Sequence, residues 1–106
     1  MIKKLKYNQL QLRKKDERYE IYDLFVPPLT FSITHLYPWK VTTGHSHSHA
    51  EVYYFISGYG NIQVGDDMEP VESGDIVVIP CGEFHRVFSL QGCCLDFICV
   101  FPFKEI

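Results

Sequence analysis

Short apolar runs separated by Gly and Pro dominate this chain, and several of them alternate with a period of two. Residues 29–37 show the alternation clearly, since Phe31 and Ile33 fall on one face and Ser32 and Thr34 on the other. Other strand-like runs cover residues 19–25, 51–57, 61–64, 76–79, 86–90 and 94–101. About eight to ten short strands with frequent turns predict an all-β antiparallel sandwich or barrel.

Helical periodicity is weak throughout the chain. Residues 5–15 fit either one helical turn or a short alternating stretch. The chain has 106 residues, of which 46% are hydrophobic, and no repeat or linker interrupts it. These properties predict one packed domain over residues 1–106, with its N-terminal strands ending near residue 40.

Charge argues against a nucleic-acid partner, because the formal net charge is -3. Positive side chains gather early in the chain, at Lys3, Lys4, Lys6, Arg13, Lys14 and Lys15. Acidic residues follow at once, at Asp16, Glu17 and Glu20. We therefore expect a solvated edge here rather than a binding arm.

Targeting signals are not evident. No apolar run approaches the ~20 residues that span a bilayer, and the N-terminus lacks the pattern of a signal peptide. We expect a cytoplasmic protein without a membrane partner. The four cysteines should then be free thiols, with Cys81 a structural residue.

Histidines suggest a metal site. His45 and His47 lie two residues apart, so a strand would direct both to the same side, and Glu51 can reach that point if the chain turns. His85 follows a turn-like segment that can present it from another strand. Three imidazoles and a carboxylate suit Fe(II), Mn(II), Ni(II), Co(II) or Zn(II), with coordination positions left for substrate. The alternative for the first stretch alone is a surface HxH pair.

The two stretches together resemble the cupin superfamily. Its first motif is matched by His45, His47, Glu51 and Gly58, with the leading glycine displaced to Gly44. Its second motif is matched by Gly74, Pro80, Gly82 and His85, with Ser89 in place of the final Asn. The motifs lie in residues 44–58 and 74–89, and the short spacer between them is similar to that of small prokaryotic members.

This resemblance implies a jelly-roll β-barrel, also called a double-stranded β-helix. It implies one divalent metal in the barrel mouth, bound by His45, His47, Glu51 and His85, and it implies a homodimer. The superfamily includes enzymes of several classes and binding proteins, so the resemblance alone implies no single reaction.

A local pattern is also similar to the cupin-type phosphoglucose isomerases. That resemblance implies that Thr42, Gly44 and Thr34 contact a substrate phosphate. It places Tyr53 beside the sugar carbons and makes Glu51 the base in proton transfer. Near the motif, Lys40 and Arg86 are the available cations. The expected partner is thus a small-molecule substrate.

Two further functions stay open. One is a dioxygenase that uses Fe, Mn, Ni or Cu, and the other is a small-molecule or metal-binding protein without activity. We expect His49 to be exposed to solvent and His35 to be a hydrogen-bonded strand residue. Asp96 fits either a solvent face or a polar cavity.

Overall fold

The computed structural model describes residues 1–103 and contains, in that range, nine strands and one 3₁₀ turn, Tyr7–Gln9. The strands are β1 (Gln11–Lys15), β2 (Tyr19–Val26), β3 (Leu29–Leu36), β4 (Glu51–Ser57), β5 (Tyr59–Val64), β6 (Asp67–Glu72), β7 (Ile76–Ile79), β8 (His85–Ser89) and β9 (Leu95–Pro102). The strands confirm the all-β prediction. No helix within the described range has the length and apolar character needed to cross a membrane.

All strand pairs are antiparallel and form two sheets. The larger sheet has the order β1-β2-β3-β9-β4-β7, and the smaller has the order β6-β5-β8. One apolar cluster joins the sheets, with Phe55 and Leu95 from the larger and Ile62, Val71 and Val87 from the smaller. This arrangement confirms the predicted jelly-roll barrel.

β3 has its polar face inside the barrel. Ser32 is fully buried and Thr34 is 4% exposed, whereas Phe31 and Ile33 are only half-buried on the outer surface. The alternation predicted from the sequence is present, but the polar positions face inward because this part of the interior lines a cavity. Tyr7 flanks the same outer groove as Phe31 and Ile33, so the N-terminal segment partly covers them.

A backbone bridge connects the segment after β3 to β8. The N–H of His45 donates to the carbonyl of His85 at 3.2 Å, and the N–H of His85 donates to the carbonyl of His45 at 2.9 Å. Nearby, the N–H of Gly82 donates to the carbonyl of His47 at 2.7 Å. Gly82 has a φ of +83°, which glycine adopts without steric cost. The turn before β8 thus fixes three histidine-bearing positions relative to one another.

Candidate metal centre and cavity

The four predicted ligands meet at one point. His45, His47, Glu51 and His85 each offer a ligand atom, and these atoms all lie within 4.8 Å of one another. The Nε2 of His47 is 3.2 Å from Oε1 of Glu51, and the Nε2 of His85 is 3.9 Å from Oε2. Glu51 is the first residue of β4 on the larger sheet, so the cluster spans both sheets.

Hydrogen bonds fix the tautomers of two of the histidines. The Nδ1 of His45 lies 3.0 Å from the carbonyl oxygen of Thr43, and the Nδ1 of His85 lies 3.1 Å from that of Glu83. A carbonyl oxygen only accepts, so each Nδ1 carries the hydrogen and each Nε2 keeps a lone pair. The Nε2 of His85 is buried and has no hydrogen-bond partner among the described residues. Such an arrangement is typical of metal-binding histidines.

The electrostatics of the cluster favour neutral imidazoles. Burial lowers the pKa of His45, and the nearby imidazole of His85 lowers it further. Burial also lowers the pKa of His47, against the opposing charge of Glu51. Neutral imidazole is the form that coordinates metal, and Glu51 is a buried carboxylate beside it, only 4% exposed. The donor set and the unpartnered Nε2 therefore fit a divalent transition metal.

His49 differs from the expectation of a solvent-exposed side chain, because only 13% of it is accessible. Its ring stacks on His47 with centroids 4.9 Å apart and on Phe101 at 5.8 Å. Its Nε2 lies 3.5 Å from Oε1 of Glu51, and neither ring nitrogen has a hydrogen-bond partner in the described structure. The turn before β4 folds His49 inward, so it borders the metal cluster.

A cavity of about 600 Å³ opens beside the cluster. Aromatic rings form much of its wall, from Tyr53, Phe97 and Phe101. Thr34 and Thr42, which the resemblance assigns to a phosphate, both line it. Gly44 is not among the lining residues; it packs against Phe84, whose ring occupies the space that a Cβ would need.

Tyr53 and Cys99 face each other on paired strands and share the interior of this cavity. The ring of Tyr53 stacks on Phe97 and meets His85 edge-on, with centroids 5.3 and 5.9 Å apart. Burial, then the neighbouring Cys99 and Glu51, raises the pKa of Tyr53 well above its usual value. Burial and the charge of Glu51 raise the pKa of Cys99 to about 12. Both groups therefore keep their protons at neutral pH.

Two basic residues at the cavity were missed by the sequence reasoning. Arg13 and Lys14 of β1 are 48% and 47% exposed, as expected of a solvated edge, but they also line the cavity. The cations expected near the motif lie elsewhere: Lys40 is exposed and does not line the cavity, and Nε of Arg86 donates to Gln63 at 2.8 Å. Strand alternation alone places Lys14 on the face opposite to Arg13, and the irregularity in β1 brings it to the inner side, opposite Ile21.

The remaining candidate residues lie away from the cluster. His35 is hydrogen-bonded as expected, through Nδ1 to Asp96 at 2.8 Å, and Ser57 donates to the same carboxylate at 2.9 Å. Both His35 and Asp96 lie on the outer face, so neither lines the cavity. Cys81 is an exposed free thiol, and the other three cysteines are also unpaired, as expected.

Comparison with models of known protein families identifies one family for this chain. The model of the Cupin domain family matches residues 32–101. Comparison with curated proteins found no significant match.

Solved structures match closely in shape. A predicted oxalate decarboxylase from Thermotoga maritima has 19% identity and a TM-score of 0.82, with 96% of this chain and 100% of that chain covered. A cupin-2 domain from Rhodospirillum rubrum has 18% identity and a TM-score of 0.83, with coverage of 100% and 78%. An RmlC-like cupin from Shewanella frigidimarina has 17% identity and a TM-score of 0.80, with coverage of 92% and 87%. At these identities the structures establish the fold.

Proposed function

The chain belongs to the cupin domain family, and from this premise we propose that it is a metal-dependent enzyme that isomerises a small, oxygen-rich metabolite. The observation that carries the proposal is the position of Glu51. Its buried carboxylate lies against the histidine cluster on one side and near Tyr53 on the other, at the wall of the cavity.

The proposed reaction is proton transfer between neighbouring carbons of a hydroxy-carbonyl compound. His45, His47, Glu51 and His85 would hold a divalent metal, which would supply Lewis-acid chemistry for the carbonyl oxygen. Glu51 removes the proton from the carbon beside the carbonyl and returns it to the former carbonyl carbon. The raised pKa of Tyr53 keeps its hydroxyl protonated, so it donates a hydrogen bond to the oxygen that gains negative charge. The substrate hydroxyl loses its proton to water while the former carbonyl oxygen gains one from water, so the isomerisation conserves atoms and needs no oxidant or reductant.

Hydroxyl groups support binding of an oxygen-rich substrate. Thr34 and Thr42 line the cavity, and Thr34 pairs with the aromatic wall residue Phe97 across β3 and β9. The Oγ1 of Thr42 accepts a hydrogen bond from the N–H of Val87 at 2.9 Å, which leaves its own hydrogen available to a substrate oxygen. A sugar phosphate such as fructose 6-phosphate is the first substrate to test.

Isotope exchange tests this function. Metal-reconstituted protein is incubated with fructose 6-phosphate and shorter hydroxy-carbonyl compounds in deuterated water. We expect interconversion of the isomers with deuterium at the exchanging carbon. Glu51→Gln should reduce the rate by about a hundredfold and Tyr53→Phe by about tenfold. Glu69→Gln, an exposed change on β6, is the control, and metal content is measured for each protein.

Two results would count against the isomerase. One is the absence of exchange with every compound, and the other is an unchanged rate in Glu51→Gln at equal metal content. Conversion without deuterium incorporation would replace the proton transfer with a hydride shift.

A dioxygen-using enzyme is the second candidate, and the aromatic wall of the cavity favours it. Tyr53, Phe97 and Phe101 give the cavity an apolar wall beside the cluster, and reactive oxygen chemistry favours such surroundings. Oxygen uptake with enediols and diketones tests this candidate. Release of carbon dioxide and formate from oxalate is measured as well, because one solved neighbour is described as a predicted oxalate decarboxylase. Tight binding without turnover in either assay would indicate a binding protein.

We also propose a homodimer, formed through the outer face of the larger sheet. Ile76 and Val78 on β7 are 67% and 63% exposed, and Val52 and Tyr54 on β4 lie directly beside them. Exposed apolar side chains that are adjacent on neighbouring strands form a continuous patch, which is typical of an interface. A second copy of the same chain offers an equally apolar surface.

A further inference from the structure

A β-bulge turns two consecutive basic residues of β1 toward the cavity. Leu12 pairs with Tyr22 and Lys14 pairs with Ile21, so Arg13 is the extra residue between these pairs. In a regular strand, neighbouring side chains point to opposite faces, and a bulge removes that constraint. Both Arg13 and Lys14 consequently line the cavity.

An ion pair with Asp23 holds the guanidinium group of Arg13 through one of its three nitrogens. Its Nε lies 2.9 Å from Oδ2 of Asp23, which is only 6% exposed. Burial raises the pKa of Asp23, while the charge of Arg13 opposes that rise. Within residues 1–103 the guanidinium has no other ion pair, so its two terminal nitrogens are available to a ligand. Such nitrogens bind carboxylate and phosphate oxygens with defined geometry.

The charge of Lys14 is also available. Its Nζ lies 4.0 Å from Asp16, whereas Arg18 binds the same carboxylate oxygen at 3.0 Å and is the stronger partner. Arg13 and Lys14 together carry two positive charges against the one negative charge of Asp23. This side of the cavity therefore has an excess of one positive charge.

Buried hydroxyl groups lie close to the two cations. Ser32 pairs directly with Asp23 across β2 and β3, and it lines the cavity. Its Oγ is buried without a hydrogen-bond partner among the described residues. An unpaired buried hydroxyl has a free energy cost that a ligand oxygen removes. Thr34, two residues along the same strand face, adds a second hydroxyl.

We propose that Arg13 and Lys14 bind the oxyanion end of the substrate, a carboxylate or phosphate, while its other oxygens face the histidine cluster. The proposal specifies the substrate class of the proposed enzyme. It depends on the proposed function in one respect, namely that the cavity is the substrate site. Small acids and phosphate esters are then selected over neutral compounds of the same size, because the neutral compounds leave both cations unpaired.

Ligand binding to metal-free protein tests the two cations apart from catalysis. Inorganic phosphate, acetate and neutral acetamide are titrated into the full chain after chelator dialysis, with binding followed by NMR. We expect phosphate or acetate to bind in a salt-dependent manner and acetamide not to bind. The two anions distinguish a phosphate site from a carboxylate site.

Substitutions locate the site. We expect Arg13→Gln to raise the dissociation constant of the preferred anion about tenfold and Lys14→Gln about threefold. Lys15→Gln is the matched control, because it removes the same charge from the next residue of β1, which does not line the cavity; its effect should stay below about twofold. Unfolding temperature is measured for each variant, and Arg13→Lys is a second variant if Arg13→Gln fails to fold.

Equal binding of acetamide and acetate would overturn the proposal. It would also be overturned if Lys14→Gln and Lys15→Gln changed the dissociation constant of the anion equally while Arg13→Gln left it unchanged. Failure of the proposed isomerase activity can be distinguished from failure of the anion site. If the anion binds through Arg13 but Glu51→Gln leaves turnover unchanged, the oxyanion site stands and the proton-transfer mechanism does not.

Discussion

Two parts of the larger sheet, the inner face of β3 and the outer face of β7, reverse the usual pattern of globular proteins, whereas elsewhere the inner face is apolar, as at Phe55. The inner face of β3 presents Ser32 and Thr34 to the interior, whereas the outer face of β7 presents Ile76 and Val78 to the surface. Polar residues are normally exposed, and an apolar interior normally drives folding. The inner hydroxyls line the cavity where we propose that a polar ligand binds, and the exposed residues of β7 form the surface where we propose that a second copy packs.

Removing an inner-face metal ligand should have the largest effect. We expect His85→Ala to lower metal affinity by more than about a hundredfold, because the loss of a direct ligand exceeds the usual effect of outer residues. Metal content after purification without a His-tag, and competition with a chelating dye, measure this. His35→Ala on the outer face is the control and should keep its metal. Similar losses in both variants would contradict the assignment.

Placing a charge on the outer face should have the next largest effect. Ile76→Lys should raise the dimer dissociation constant by about a hundredfold, because each of the two copies would bury an unpaired ammonium group. Light scattering across a concentration series measures the assembly. Met68→Lys makes a similar change on β6 of the smaller sheet and should leave the dimer intact. A monomeric starting protein would refute the interface.

Removing the His49 side chain, which lies inside the barrel, should have an intermediate effect on metal affinity. Its ring supports His47 by stacking, and its Nε2 lies 3.5 Å from Glu51, so His49→Ala should lower metal affinity about tenfold. The chelating-dye competition used for His85 measures this. The exposed neighbour Ser48 provides the comparison, and Ser48→Ala should bind metal as the unmodified chain does. No change in His49→Ala would limit this ring to packing.

The smallest effect should come from replacing an inner hydroxyl by a methyl group. Thr34→Val keeps the shape of the side chain, so the free energy of unfolding should change by less than about 1 kcal/mol. Substrate KM should nonetheless rise if Thr34 contacts the substrate. Thermal unfolding measures the change in stability, and steady-state kinetics measure KM. Thr30→Val is the comparison, because Thr30 is buried on the same face but does not line the cavity.

Sequence motifs predicted that the four side chains of the cluster come together, and part of that geometry is local. His45 and His47 are two residues apart, and Gly82 supplies the turn conformation that leads into β8 and His85. The glycine and proline positions therefore carried most of the information about the fold around the cluster. The structure brings these ligands together without any rearrangement of the expected strands.

Other features were beyond sequence reasoning because they depend on long-range packing. The alternation of β3 was visible, but which face lies inside follows from the sheet on the opposite side of the barrel. The burial of His49 depends on Phe101, which is far away in sequence. The orientation of Lys14 depends on a bulge that is set by pairing with β2, and no residue in β1 marks that bulge.

A metal held by the candidate cluster would connect the two sheets. His45 is hydrogen-bonded through its backbone to His85 of β8 in the smaller sheet, whereas Glu51 belongs to β4 of the larger one. An ion bound by all three side chains opposes any separation of the sheets at the cavity mouth, and ligand binding stabilises the folded state in proportion to the logarithm of ligand concentration. The melting temperature of the protein should therefore report the metal supply of its surroundings.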